Sequence, residues 1–156
     1  MGKNQIIIYC VISILFFGCF ENKEKPPKDQ KMTIIRDSTY TKFMIGKNHS
    51  LWEPSNKDFV EINSIIEDAI QDGEFYFLKT KSISEIKKYY RQYLFYTDDK
   101  GLKIVFINSM CNISSYNDTD WRKEMLDIAD GGDCYWSLKI DLTNKKLFSL
   151  KVNTEG

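Results

Sequence analysis

Between Ser55 and Gly73 apolar side chains return at intervals of three and four. Phe59, Ile62, Ile65, Ile66, Ala69 and Ile70 share one stripe, and Glu61, Asn63, Glu67 and Asp68 lie opposite. That period predicts an amphipathic helix, with Ser55 as N-cap, Asp58 three residues on, and an end near Gly73. Ser82-Ile83-Ser84-Glu85 carries a capping-box signal and predicts a second, short helix. The next segment fits two templates. Ile86, Tyr89, Tyr90, Tyr93 and Leu94 satisfy helical spacing, yet the aromatic density and the turn Asp98-Asp99-Lys100-Gly101 favour a hairpin, which is the reading adopted. Its second arm is Leu102 to Met110. Pairing across a four-residue turn sets Phe95 opposite Ile104, Tyr93 opposite Phe106 and Arg91 opposite Asn108.

Residues 118–132, DTDWRKEMLDIADGG, predict a third helix. Asp118 or Thr119 stands at its start, Trp121, Met125, Leu126 and Ile128 form its apolar side, and Gly131-Gly132 follow its last turn. A final hairpin has the clearest alternation: Trp136, Leu138, Ile140 and Leu142 on one arm, Phe148, Leu150 and Val152 on the other. A three-residue loop, Asn144-Lys145-Lys146, places both sets on one face. The order helix, two strands, helix, two strands predicts an α+β fold: an antiparallel sheet of about four strands with helices packed on one face. By analogy, that layout is similar to a cystatin-like arrangement.

The amino-terminal part has a different pattern. Met1 to Gln5 carry one positive charge, Ile6 to Phe17 are apolar, and Gly18-Cys19 close the run. The run is short of the roughly 20 residues of a spanning helix, so it predicts an export signal, with an uncleaved N-terminal anchor as the alternative because the run is strongly hydrophobic. Ordinary cleavage after Gly18 fits poorly, because Phe16 stands where a small residue is wanted. Phe16-Phe17-Gly18-Cys19 resembles the signal of bacterial lipoproteins, departing from that pattern at the two phenylalanines. The resemblance implies diacylglycerol on the Cys19 thiol, cleavage before it, acylation of the new amino terminus and a membrane partner through that lipid. Glu21 to Lys31 are charged and proline-bearing, and predict a tether. The expected organisation is a signal peptide over 1–18, lipidated Cys19 and tether over 19–31, an irregular lead-in over 32–54 with a short strand near Met32 to Arg36, and the α+β domain over 55–156.

Charge narrows the partners. The chain of 156 residues has 22 Lys+Arg against 22 Asp+Glu. Loss of 1–18 removes only Lys3, so no basic footprint for nucleic acid exists. Only Arg36, Arg91 and Arg122 are arginines, which leaves little bidentate phosphate chemistry. Export also changes how the cysteines are read. Cys10 leaves with the signal and Cys19 takes lipid, so the domain keeps Cys111 and Cys134 in an oxidising compartment. They flank adjacent predicted strands, where a disulfide is sterically feasible; inert buried thiols and a reactive thiol are the other readings. A thiol enzyme lacks a base, since the sole histidine, His49, sits in an unpatterned region.

Two other constellations stand out. Asp118, Asp120, Asp130 and Asp133 offer oxygens for a metal, but their spacing misses the calcium-loop pattern and capping explains them, so neither a metal nor a cofactor is expected. Tyr89, Tyr90, Arg91, Tyr93 and Tyr96 form the candidate binding surface, weighed against a packed sheet face. Arg91 among these rings is expected to pair with a carboxylate, Asp130 and Asp133 being candidates, or to reach solvent. Tyr90-Arg91-Gln92-Tyr93, Ile107-Asn108, Trp121, Asp130 to Trp136 and Val152-Asn153 resemble the ordered motifs of a family of small, uncharacterised bacterial lipoproteins. That resemblance spans roughly residues 52–154 and implies no activity. The expectation is a non-enzymatic, membrane-anchored envelope protein that binds a protein or envelope polymer. An inhibitor or immunity-type protein that meets an incoming protein is the alternative.

Overall fold

The structure, a computed structural model, describes residues 29–37, 41, 45–46, 49–113, 119–128 and 130–153. Its fold is α+β. Helix α1 spans Asn56–Gln71 and buries the predicted stripe, Phe59, Ile62, Ile65, Ile66, Ala69 and Ile70. The Ser55 N–H donates to Asp58 Oδ2 at 2.6 Å, which satisfies a helix-start donor. At the other end Gly73, at φ 86°, donates to the Ile70 carbonyl and Glu74 to that of Ala69, the paired bonds of a Schellman cap. Helix α2, Ile83–Ile86, begins at Ser82, whose side chain accepts from the Ser84 N–H.

Six strands form one sheet: β1 (Met32–Ile34), β2 (Ser50–Leu51), β3 (Tyr90–Thr97), β4 (Lys103–Met110), β5 (Tyr135–Asp141) and β6 (Lys146–Val152). Strands β3 to β6 form an antiparallel meander. The lead-in was expected to be largely irregular, but it supplies two strands along the free edge of β3: β1 pairs parallel with Arg91 to Tyr93, and β2 antiparallel with Tyr96 and Thr97. The sheet is therefore wider than the expected four strands, and one edge is parallel.

Helix α1 covers one face, against Tyr93, Phe95, Val105, Ile107, Trp136, Leu138 and Ile140. The opposite face of β3 and β4 is also buried. Leu94, Tyr96 and Ile104 pack there against Ile35 and Met125, and Met110 packs against Trp121 and Leu126. Among the described residues this second layer is built from Ile35, the 121–128 segment and Ile45, which stands at a helical position.

Both hairpins form with registers that differ from the expected ones. In the first, Phe95 faces Val105, Tyr93 faces Ile107 and Arg91 faces Ser109. Asp98 and Leu102 close a three-residue loop with an Asp98 N–H to Leu102 carbonyl bond of 3.0 Å, and Gly101 supplies the positive φ of 80°. In the second, the loop holds four residues, 142–145, and Ile140 faces Leu147 rather than Leu150. The register then slips between Ser137 and Lys139, opposite Ser149 at φ 62°. This bulge changes the parity of β6, so that Leu147, Leu150 and Val152 pack toward α1 while Phe148 turns outward, 39% exposed.

The predicted third helix does not form. Asp118 lies outside the described residues, and one turn held by the Asp120 carbonyl, accepting from Lys123 and Glu124, is all that is helical in 119–128. Side-chain amides capture the backbone groups that a helix would use. Gln92 Nε2 donates to the carbonyls of Trp121 and Glu124, both at 2.6 Å, and its Oε1 accepts from the Leu126 N–H at 2.9 Å. Asn108 Nδ2 donates to the Leu126 carbonyl at 2.7 Å, and Asn153 Nδ2 to that of Ile128 at 2.5 Å. Trp121, Met125 and Leu126 are buried as their periodicity suggested, but in a laced extended segment.

Candidate functional site

Cys111 and Cys134 lie at the seam of β4 and β5, immediately after Met110 and before Tyr135, which pair with each other. Their Cα atoms are 5.0 Å apart and a disulfide joins them. The Cys111 N–H also donates to the Cys134 carbonyl at 2.9 Å, so backbone pairing continues one step past the strands. Gly131, at φ 102°, precedes this junction. A Cβ there would come within 2.4 Å of the Tyr135 ring, which explains why glycine stands at that position.

The candidate aromatic surface is mostly interior. Arg91, Tyr93 and Tyr96 are buried, and Tyr89 and Tyr90 are half-buried. Alternate sides of β3 carry them: Tyr93 lies edge-on to Phe59 in the α1 layer, whereas Tyr96 joins the opposite layer. Tyr89 packs against Trp136, and Tyr90 lies edge-on to Trp121 at 5.3 Å with Lys31 Nζ over its ring. Burial pushes the Tyr93 hydroxyl pKa up, and pushes that of Tyr96 up to about 12 with help from the nearby Asp98 charge. Tyr93 and Tyr96 belong to the core, while Tyr89 and Tyr90 lie at its margin.

Arg91 does not pair with Asp130 or Asp133. Its guanidinium meets the carboxylate of Asp29, at the end of the segment expected to be a free tether, and its Nε donates to the Tyr89 carbonyl at 3.2 Å. Residues 29–31, expected to belong to a tether, are therefore bonded to the fold. Cys19 and the signal segment lie outside the described residues. Of the acidic group, Asp120 pairs with Lys123 at 3.0 Å and caps its own turn. Among the described residues no three His, Cys, Asp or Glu side chains converge as a metal site.

The open surface is the outer face of β4 to β6. Register aligns Leu94, Phe106, Lys139 and Phe148 in one cross-strand row and Gln92, Asn108, Ser137 and Lys151 in the next. At the β3 end of these rows Gln92 and Leu94 are fully buried by the 121–128 segment; at the β6 end Phe148 and Lys151 are exposed. The step between covered and bare sheet makes a groove of about 350 Å³, with Asp127 and Ile128 on one wall and Lys139, Ser149 and Lys151 across it. Aromatic edges beside ammonium groups and hydroxyls suit an extended chain that offers both apolar and acidic or polar groups. This face escaped sequence reasoning because the parity of β6 hid it. The available signal was the pair of amides, Gln92 and Asn108, inside otherwise apolar strands. In comparisons with family models, curated proteins and solved structures, nothing matches the chain.

Proposed function

We propose that this protein is exported, held at the cell envelope by lipid on Cys19, and works there as a binding module rather than an enzyme. In this reading a protein segment or envelope polymer lies across the outer face of β4 to β6. The observation that carries the reading is the half-covered sheet. One face is sealed by α1 and, among the described residues, the other is left bare past Asn108, with Phe148 and Lys151 exposed. The Cys111–Cys134 disulfide supports an oxidising compartment, in keeping with the apolar run that ends at Cys19. Asp29 on Arg91 supports a short link: the chain from Cys19 to Asp29 can span at most about 36 Å, which keeps the domain near the lipid surface. The long helix laid over an antiparallel meander is also consistent with a cystatin-like layout.

Two measurements test this. Palmitate labelling of cells making the intact chain or Cys19→Ala is expected to label only the first. Envelope extracts are then passed over the lipid-free domain and its Lys139→Glu/Lys151→Glu form. Capture of one partner that the double variant loses supports the groove, and capture of a single incoming protein identifies the inhibitor or immunity role. Equal capture by both forms refutes the groove as the binding face.

A further inference from the structure

Arg91 projects from the α1 side of β3 into a cleft of about 580 Å³ between β1 and the start of α1. Phe59 and Asn63, one turn apart on α1, form a wall, and Lys87 brings a second cation. The Arg91 side chain is only 4% exposed. A guanidinium so enclosed needs an acceptor, because an unpaired buried charge is strongly destabilising. Tyr93 lies beside it: burial pushes that hydroxyl's pKa up, and the Arg91 charge and hydrogen bond act in the opposite sense. The acceptor in the cleft comes from neither the helix nor the meander. Asp29 precedes β1, its Oδ1 accepts the Lys31 N–H at 2.8 Å, and its other oxygen meets Arg91. Its side chain is 35% exposed. The Lys31 carbonyl accepts the Arg91 N–H at 2.8 Å, so the Asp29 carboxylate can turn away from Arg91 while that backbone bond keeps β1 on the sheet.

From this geometry we infer that the cleft is a carboxylate-binding site whose built-in occupant is Asp29. An incoming peptide with a carboxylate replaces Asp29 on Arg91, places its charge near Lys87 and lies along Phe59. Replacement releases the Asp29 turn and lengthens the link to the anchor. The inference deepens the binding-module reading and rests on it for its biological role, but the cleft and its test do not depend on lipid at Cys19.

The test uses the chain from residue 20 onward, which holds every described residue, with an N-acetylated tripeptide bearing a free terminal carboxylate. Its amide, and an amidated peptide with an internal Glu, separate a terminal from a side-chain carboxylate. Calorimetric titration is expected to show the acid binding Asp29→Asn about tenfold more tightly than the unaltered chain, with Lys87→Ala in that background reversing much of the gain. The fully amidated, Glu-free peptide is expected to bind at least about tenfold more weakly than the acid. In the unaltered chain, saturating acid is expected to speed hydrogen exchange at the Lys31 amide, which donates to Asp29 in the closed cleft. A folded Asp29→Asn with no gain in affinity, or carboxylates no better than the amide, overturns the inference. If Asp29→Asn does not fold, the unaltered chain decides: exchange at the Lys31 amide no faster with either carboxylate than with the amidated, Glu-free peptide overturns it.

Discussion

Replacing Gln92 with Met keeps the length of the side chain and removes its polar end. Gln92 is fully buried, and its amide makes four hydrogen bonds: two donated to Trp121 and Glu124, two accepted from Asn108 and Leu126. That uses the whole capacity of one amide. A typical bond contributes about 1 kcal/mol net, and a buried group left unpaired costs about 1–3 kcal/mol. Asn108 keeps its bond to the Leu126 carbonyl, so three backbone groups carry most of the penalty. Gln92→Met is therefore expected to cost about 4 kcal/mol, a large fraction of the ~5–15 kcal/mol of an ordinary domain. In urea, with a slope near 2 kcal/mol/M, the midpoint should fall by about 2 M. Hydrogen exchange should localise the change, with faster exchange at Leu126 and its neighbours while the Ile62 and Ile66 amides follow only the global loss. A loss below about 1 kcal/mol, or unchanged exchange at Leu126, would refute the claim that this amide holds the 121–128 segment on the sheet.

Three other outcomes follow from the same structure. Cys111→Ser/Cys134→Ser should lower stability by about 3 kcal/mol by chain entropy for a loop of this length, read as a shifted denaturation midpoint; no shift would mean the bridge constrains nothing. Tyr96 has its folded-state pKa raised from 10 to about 12, so its contribution is complete below pH 10 and is lost as pH rises toward 12. Tyrosinate absorbance and circular dichroism recorded together should then show late ionisation accompanied by unfolding, and ionisation of every tyrosine near pH 10 in a folded protein would contradict it. Ser149→Gly should raise stability by about 0.5–1 kcal/mol by relieving the left-handed backbone at φ 62°, whereas Ser149→Val should lower it.

The parts of the fold readable from sequence are those fixed by local chemistry. Helix α1 was legible to its caps because its stripe, Ser55 and Gly73 all act within one turn of their neighbours. The adjacency of β4 and β5 could be anticipated because it follows from a meander that brings Cys111 beside Cys134. What was missed depends on partners far along the chain. The helical spacing of Trp121, Met125 and Leu126 is real, but Gln92 and Asn108, whose strands form elsewhere, take the backbone bonds that a helix needs. One backward residue, Ser149, inverts the apparent parity of β6, and no count of alternation reveals it. Arg91 pointed to a carboxylate, but its partner, Asp29, lay in a segment whose composition reads as tether.

The Cys111–Cys134 bond also bears on how the protein meets proteolysis. It turns the segment that roofs the outer face into a covalent ring closed at the sheet. A protease that cuts a surface loop in an open chain produces two fragments free to separate. A single cut between these cysteines leaves one covalently joined molecule, still held by Gln92, Asn108 and Asn153. The roof can be nicked without being shed, and the domain stays whole until a second cut or a reductant opens the ring.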